Sequence, residues 1–179
     1  VVEELIGTVR DQFEQVKEIR LSDLVPVEAV ALDLEPMPKP QVIRALVERL
    51  GQKRPEIKID SVVAGIQKRE ALASTGLGNG IAIPHGRVKG LKEALGALVR
   101  TKQPIPFDAP DGQPVELIFV LLVPDRATDV HLQILSELAQ MFSDKPFREW
   151  MRAATTAAEM HQLITNWQPH GAGQHSPVV

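Results

Sequence analysis

The segment GLGNGIAIPHG, from Gly76 to Gly86, places one imidazole in a distinctive setting. Four glycines surround a short apolar run that ends at His85, between a proline and a glycine that leaves room beside the ring. A neutral imidazole is a good nucleophile with a pKa near neutral pH, and a phosphoryl group attached to it can be passed on. His85 is therefore a candidate phosphoryl acceptor. A plain turn histidine is an equal alternative from local chemistry alone, since glycines are common turn residues.

Other chemistries of glycine-rich or histidine-bearing segments find little support. A nucleotide-binding P-loop needs a lysine after its last glycine, but Gly80 precedes isoleucine and alanine. The G-x-G-x-G spacing departs from the dinucleotide fingerprint, and a predicted helix precedes the loop instead of following it. The sequence has no G-x-S-x-G elbow, no paired metal-binding histidines and no cysteine. We therefore expect neither a metal nor a nucleotide cofactor.

Phosphoryl transfer at His85 would need three kinds of support. A hydrogen bond to one ring nitrogen must fix the tautomer. Donors must meet the phosphoryl oxygens, and the glycine N–H groups with the hydroxyls of Ser74 and Thr75 could supply them. A cation must offset the added charge, for which Arg69 and Arg87 are candidates. From position alone, Arg69 is also consistent with a helix-end charge and Arg87 with a solvated loop.

The rest of the chain predicts strands and helices that would position these residues. Apolar alternation and continuous apolar runs predict strands at residues 30–34, 81–83, 94–100, 105–107 and 115–123. Helical spacing predicts helices at residues 4–19, 40–51, 60–72, 128–142, 146–153 and 156–167.

The strand at 115–123 should be central and buried on both faces. His85 should follow the end of the strand at 81–83. The inward face of the fourth helix should carry Leu132, Leu135, Leu138 and Phe142. The mixture predicts one α/β sandwich, a sheet covered by helices.

Composition narrows the class of protein. The 179 residues suit one domain, and 44% hydrophobic with 24% charged residues is typical of a globular protein. A net charge of -3 gives no reason to expect nucleic acid or an acidic membrane as partner. No apolar run is long enough for membrane insertion, and the N-terminus lacks the order of a signal peptide. We expect a cytoplasmic protein, with residues 169–179 as a disordered tail.

The motif as a whole is more specific than the histidine. The segment REALASTGLGNGIAIPHG resembles the active-site segment of the mannitol/fructose-type IIA domains of the bacterial phosphoenolpyruvate-dependent sugar phosphotransferase system (PTS). The likeness runs over about residues 20–168, through LSDLV, FDAPDGQPVELIFVLLVP and HLQILSELA, and favours the nitrogen-regulatory branch of the family. It implies an α/β sandwich with a mixed central sheet flanked by helices. We thus expect a helical extension at 1–20, a IIA type-2 domain at 21–168 and the tail at 169–179.

The resemblance also implies a function for individual residues. It implies a phosphotransferase with a phosphohistidine intermediate, in which His85 accepts a phosphoryl group from an HPr-like phosphocarrier protein. His131 matches the second histidine of the family, although core packing would be the better interpretation from position alone. The phosphoryl-binding residues that it implies are Arg69, Ser74, Thr75 and His131. Ala73 stands where the family usually has glycine, which would strain the loop if that position needs a positive φ, but we expect tolerance.

Three functions remain open. The first is a phosphoryl-accepting regulator that binds target proteins according to its phosphorylation state, which the match of GLGNGIAIPHGR favours. The second is the IIA component of a fructose/mannitol-type sugar transporter, which passes the phosphoryl group to a IIB domain. The third is a binding module that is never phosphorylated. In the first two, transfer between two imidazoles must exclude water, so we expect an apolar docking patch near His85 from Leu77, Ile81 and Ile83.

Overall fold

The computed structural model of the protein describes residues 21–126 and 128–168. The helix predicted at residues 4–19, the N-terminal extension and the predicted tail lie outside these residues. The domain boundaries near residues 20 and 168 therefore stay predictions.

The described chain alternates between strands and helices. The strands are β1 (Val30–Leu34), β2 (Gly76–Gly78), β3 (Ile81–Ala82), β4 (His85–Val88), β5 (Leu95–Ile105) and β6 (Val115–Pro124). The helices are α1 (Leu21–Leu24), a 3-10 turn (Val27–Ala29), α2 (Lys39–Gly51), α3 (Ile59–Leu72), α4 (Thr128–Ser143), α5 (Lys145–Ala153) and α6 (Ala157–Asn166). The strand predicted at 94–100 thus extends to Ile105, which is the one residue of the strand predicted at 105–107 that lies in β5.

The six strands form one mixed sheet in the order β1-β5-β6-β3-β2, and β4 also pairs with β6. β6 is antiparallel to β5 and parallel to β3 and β4, whereas β1 is parallel to β5. Every residue from Leu117 to Val123 is buried, as expected for a central strand covered on both faces. This architecture confirms the predicted α/β sandwich with a mixed central sheet flanked by helices. In the two described ranges no helix has the length and apolarity needed to cross a membrane.

β3 and β4 follow one another along β6 in a single parallel register. Ile81 lies opposite Leu117 and His85 lies opposite Leu121. Between the two segments, the backbone N–H of Leu121 donates to the carbonyl oxygen of Pro84 at 2.9 Å. Pro84 lacks an N–H but keeps its acceptor, so the ladder continues past it. His85 therefore begins a strand, where the sequence pattern had predicted a loop position after one.

The inward face of α4 differs from the predicted one. Ile134, Leu138 and Met141 are fully buried, whereas Leu132 is 61% exposed. The prediction was right for Leu138 and Phe142, which is also buried, and wrong for Leu132. Positions three and seven residues apart share a helix face, so His131 lies on the same face as Ile134 and Leu138. This rotation directs His131 toward the interior of the domain.

Candidate active site

His85 is held by a hydrogen bond from its ring to the main chain. Its Nδ1 lies 2.9 Å from the carbonyl oxygen of Ile83. Because a carbonyl can only accept, Nδ1 carries the proton in this geometry. The neutral ring then has its lone pair on Nε2. The arrangement supplies the single tautomer that phosphoryl transfer requires.

The surroundings of His85 favour its neutral form. Burial lowers the pKa of His85 below its ordinary value of 6.5, because the imidazolium form would lose hydration. The hydrogen bond to Ile83 acts in the opposite direction, the Arg69 guanidinium lowers the pKa further, and the Glu70 carboxylate raises it. The net lowering keeps the ring nucleophilic at neutral pH.

A second imidazole lies against the first. The ring centroids of His85 and His131 are 5.2 Å apart and the ring planes meet at 69°. Both ring nitrogens of His131 are shielded from solvent, and within the part of the chain that the structure describes neither has a hydrogen-bond partner. Burial lowers the pKa of His131, and the charges of His85 and Arg87 lower it further. The structure thus brings the two histidines together and keeps His131 neutral.

Arg69 lies in the last turn of α3, beside the site. One of its guanidinium N–H groups donates to the carbonyl oxygen of Ala73 at 2.7 Å. The charge also lies close enough to His85 to lower the pKa of that ring. Arg69 therefore closes the end of the helix and places a cation near His85 at the same time. Its contact with a phosphoryl group stays a prediction.

Arg87 lies nearer the site than a solvated loop charge would. Side chains alternate across a strand, so His85 and Arg87 in β4 project to the same side. The side chain is exposed, yet its charge contributes to lowering the pKa of His131. The two-residue spacing from His85 was a visible signal, but it has meaning only once the segment is known to be a strand.

The hydroxyls of Ser74 and Thr75 are bonded to Phe107, Gly76 and Glu70, and neither is bonded to His85. Ser74 Oγ donates to the carbonyl oxygen of Phe107 at 3.0 Å and accepts from the N–H of Gly76 at 3.1 Å. Thr75 Oγ1 donates to the carboxylate of Glu70. The phosphoryl contacts of both hydroxyls stay predictions.

Two small residues shape the loop for reasons that the structure makes clear. Ala73 has a φ of -168°, an extended conformation that any residue adopts, so its methyl group is tolerated as expected. A Cβ at Gly86 would lie 2.9 Å from Cγ1 of Ile66. Gly86 is therefore explained by close packing of β4 on α3.

The apolar surface differs from the predicted docking patch. Ile81 and Ile83 belong to the core, and only Leu77 of the three is exposed, at 44%. Leu72, three residues beyond Arg69, is 80% exposed, and Leu132 follows His131 directly. We call Leu72, Leu77 and Leu132 the exposed leucines of the site. Each is exposed and lies close in sequence to Arg69, to the glycine-rich segment or to His131.

The charges near the two histidines are mainly positive. Arg69 acts on His85 and Arg87 acts on His131, while Glu70 is the carboxylate that acts on His85. Within the described ranges, no three side chains of the metal-binding types gather as a metal site requires. The site is thus suited to hold an anion by hydrogen bonds and cationic side chains.

The sequence and the fold match known proteins over nearly all of the described chain. The family model of the "Phosphoenolpyruvate-dependent sugar phosphotransferase system, EIIA 2" matches residues 23–167. A nitrogen regulatory protein of Pseudomonas aeruginosa is 35% identical over 150 residues, which cover 84% of this chain and 97% of the relative. A fructose-specific EIIA component of Haloferax volcanii is 30% identical over 144 residues, which cover 80% and 94%. The crystal structure of nitrogen regulatory protein IIA-Ntr from Neisseria meningitidis is 42% identical with a TM-score of 0.76, covering 81% of this chain and 99% of that one.

Proposed function

Because this chain belongs to the EIIA 2 family of the phosphoenolpyruvate-dependent sugar phosphotransferase system, we propose that His85 accepts a phosphoryl group from a phosphorylated HPr-like carrier. The observation that carries the proposal is the bond from Nδ1 of His85 to Ile83, which leaves the lone pair on Nε2. Nε2 supplies the electrons of the new N–P bond. The bond from phosphorus to the carrier nitrogen breaks, and its electron pair returns to the carrier imidazole, which leaves as the neutral ring because its other nitrogen carries a proton. Throughout the transfer, Nδ1 keeps its proton and donates it in the hydrogen bond to the Ile83 carbonyl.

The surrounding side chains are suited to stabilise the negative charge of a phosphoryl group on His85. Arg69 and Arg87 provide positive charge, and His131 provides an N–H whose nitrogen has no partner among the described residues. Transfer between two histidines can rely on such positioning and electrostatic stabilisation alone. The absence of a metal or nucleotide cofactor, like the cytoplasmic location, stays a prediction.

We further propose that the protein acts as a regulator whose target proteins distinguish its phosphorylated and unphosphorylated forms. The nitrogen regulatory protein of Pseudomonas aeruginosa, matched over 97% of its own length, supports this role.

Intact-mass spectrometry tests the phosphoryl transfer. The protein is incubated with phosphoenolpyruvate, enzyme I and an HPr-like carrier from the same organism. We expect one phosphoryl group that is lost in acid and retained in base, and no addition when the carrier is omitted. A protein that stays unmodified with every such carrier is instead the binding module that is never phosphorylated.

The pH at which His85 gains a proton provides a second prediction. Its lowered pKa means that the neutral ring persists to lower pH than in a free histidine. In a 15N NMR titration of the unphosphorylated protein, the midpoint of His85 should lie below 6.5. In Arg69→Ala the midpoint should move upward, because a cation that opposes protonation is removed. A wild-type midpoint at or above 6.5 contradicts this description of the site.

The exposed leucines of the site are proposed to meet the carrier. We expect Leu132→Glu to slow phosphoryl gain several-fold, because a carboxylate beside His131 disturbs both the apolar contact and the approach of a negatively charged group. The fold should be unaffected, since Leu132 is 61% exposed. The measurement is the initial rate of labelling from pre-phosphorylated carrier.

Val27→Glu is the matched control for that experiment. It places the same charge on another exposed apolar residue, at the 3-10 turn before β1. Equal rates for Leu132→Glu and the wild type would place the docking surface elsewhere.

A sugar-transport role is the second candidate, favoured by the fructose-specific EIIA relative of Haloferax volcanii. In that role the phosphoryl group of His85 passes to a IIB domain. Mixing the phosphorylated protein with IIB domains from the same organism distinguishes the two. Rapid loss to a IIB domain favours transport, and loss only back to the carrier favours regulation.

A further inference from the structure

The carboxylate of Glu70 is buried at the end of α3 and is bonded through both oxygens. Only 8% of the residue is exposed. Its Oε2 lies 2.7 Å from Nζ of Lys39, and Oε1 accepts from the backbone N–H of Thr75 at 3.2 Å. The Thr75 hydroxyl donates to the same Oε1. A buried charge is tolerated only when it is paired and hydrogen-bonded, so these bonds hold Thr75 in one position.

Thr75 connects this carboxylate to the phosphoryl-accepting ring through the main chain. The carbonyl oxygen of Thr75 accepts from the N–H of Ile83 at 3.1 Å. The carbonyl of Ile83 in turn accepts from Nδ1 of His85 at 2.9 Å. A continuous series of contacts therefore runs from Glu70 through Thr75 and Ile83 to His85.

Lys39 anchors the other end of the series. Its Nζ lies 4.5 Å from the centroid of the Phe107 ring and donates to the Phe107 carbonyl at 3.3 Å. The same carbonyl accepts from the hydroxyl of Ser74. Lys39 begins α2, so the network joins α2, the end of α3 and the loop before β2. A fully satisfied polar network of this kind is rigid.

We propose that Glu70 is a positioning residue for the phosphoryl-accepting imidazole, with Lys39 as its counter-ion. By holding Thr75, Glu70 fixes the Ile83 carbonyl in line with Nδ1, and this keeps the proton of His85 on Nδ1 and the lone pair on Nε2. Glu70 acts through the main chain and has no part in the transferred group. The inference rests on the proposed function for what the lone pair does, but the tautomer is a property of the unphosphorylated protein.

The tautomer can be measured without any transfer reaction. We expect 15N NMR of the His85 ring, above the pH of its titration, to show mainly the Nδ1–H form in the wild type. Glu70→Gln offers one acceptor oxygen and no charge for Lys39, so the Nε2–H form should rise several-fold. Glu48→Gln makes the same charge change at an exposed position of α2 and should match the wild type.

The rate of phosphoryl gain should fall as the population of the Nδ1–H form of His85 falls. From pre-phosphorylated carrier, Glu70→Gln should be labelled about tenfold more slowly or worse, the size expected for a lost hydrogen bond to a charged group. The dependence of the rate on carrier concentration should stay unchanged, because the docking surface is untouched.

Thr75→Val keeps the experiment decisive if Glu70→Gln does not fold. Valine preserves the shape of threonine and removes only the hydroxyl that donates to Glu70. A smaller change of the tautomer in the same direction supports the inference. Wild-type tautomer populations in every folded variant overturn it. A normal tautomer response in a protein that no carrier can phosphorylate overturns the proposed function instead.

Discussion

A His85→Ala variant is expected to take up no phosphoryl group from a phosphorylated HPr-like carrier. The substitution removes the only atom, Nε2 of the ring, that the proposed transfer uses as nucleophile. We expect neither neighbouring group to replace it, because both ring nitrogens of His131 are shielded from solvent and the hydroxyls of Ser74 and Thr75 are already bonded. The measurement is intact mass after incubation with carrier, enzyme I and phosphoenolpyruvate. Normal labelling of this variant would assign the phosphoryl group to another residue.

A matched control separates loss of the nucleophile from loss of folding. His85→Ala also removes the bond to the Ile83 carbonyl, at a cost of about 1 kcal/mol. His161→Ala removes the same residue type and the same kind of bond, from Nε2 to the carbonyl of Val25 at 2.8 Å. Both variants should unfold at similar denaturant concentrations, and only His161→Ala should be labelled.

Arg69→Ala and His131→Ala are expected to accept the phosphoryl group and to hold it poorly. Each residue would contribute a charge-assisted hydrogen bond to the phosphoryl oxygens, worth roughly 1.5–3 kcal/mol. That corresponds to roughly 10-fold or more in the equilibrium between the protein and its carrier. Arg69→Ala should be the more severe, because it removes a full charge and also raises the pKa of His85. The measurement is the rate of phosphoryl gain against the rate of loss.

Lys68→Ala is the control for charge in the same helix turn. Lys68 is exposed, and its removal should leave both rates unchanged. If Arg69→Ala and His131→Ala also match the wild type in both rates, the two residues are structural and the phosphoryl group is held by other donors.

The sequence predicted the parts of the fold that local pattern determines. α3 was identified from helical spacing because it buries one regular face, and β6 from a continuous apolar run because most of its length is buried. α4 was predicted at the correct residues, but part of its buried face was assigned wrongly. Leu138 and Phe142 were predicted inward correctly, but Leu132 and Ile134 are both apolar, and only packing in the folded chain decides that Ile134 is the buried one.

The sequence identified only part of the site, because some of its residues stand in a recognisable local pattern and others do not. His85 was marked by the glycines around it, and its strand was missed because Pro84 interrupts the pattern while its carbonyl maintains the ladder. Glu70 gave no signal, since an acidic residue near a helix end usually faces water. Its burial depends on Lys39, which is distant in sequence and adjacent only in the folded chain.

If His85 is phosphorylated as proposed, the shielded ring nitrogens of His131 would link the phosphorylation state of the protein to its stability. One of them carries a hydrogen that finds no acceptor among the described residues, and such a buried donor costs about 1–3 kcal/mol. In the proposed function, a phosphoryl oxygen on His85, whose ring lies 5.2 Å away, would supply that acceptor. The unfolded chain has no such deficit, since water satisfies the same hydrogen there. Because the covalently attached group stays on the chain in both states, only the contacts that it makes in the folded site would add to the free energy of unfolding. If His85 is phosphorylated as proposed, we therefore expect the phosphorylated domain to have the larger free energy of unfolding.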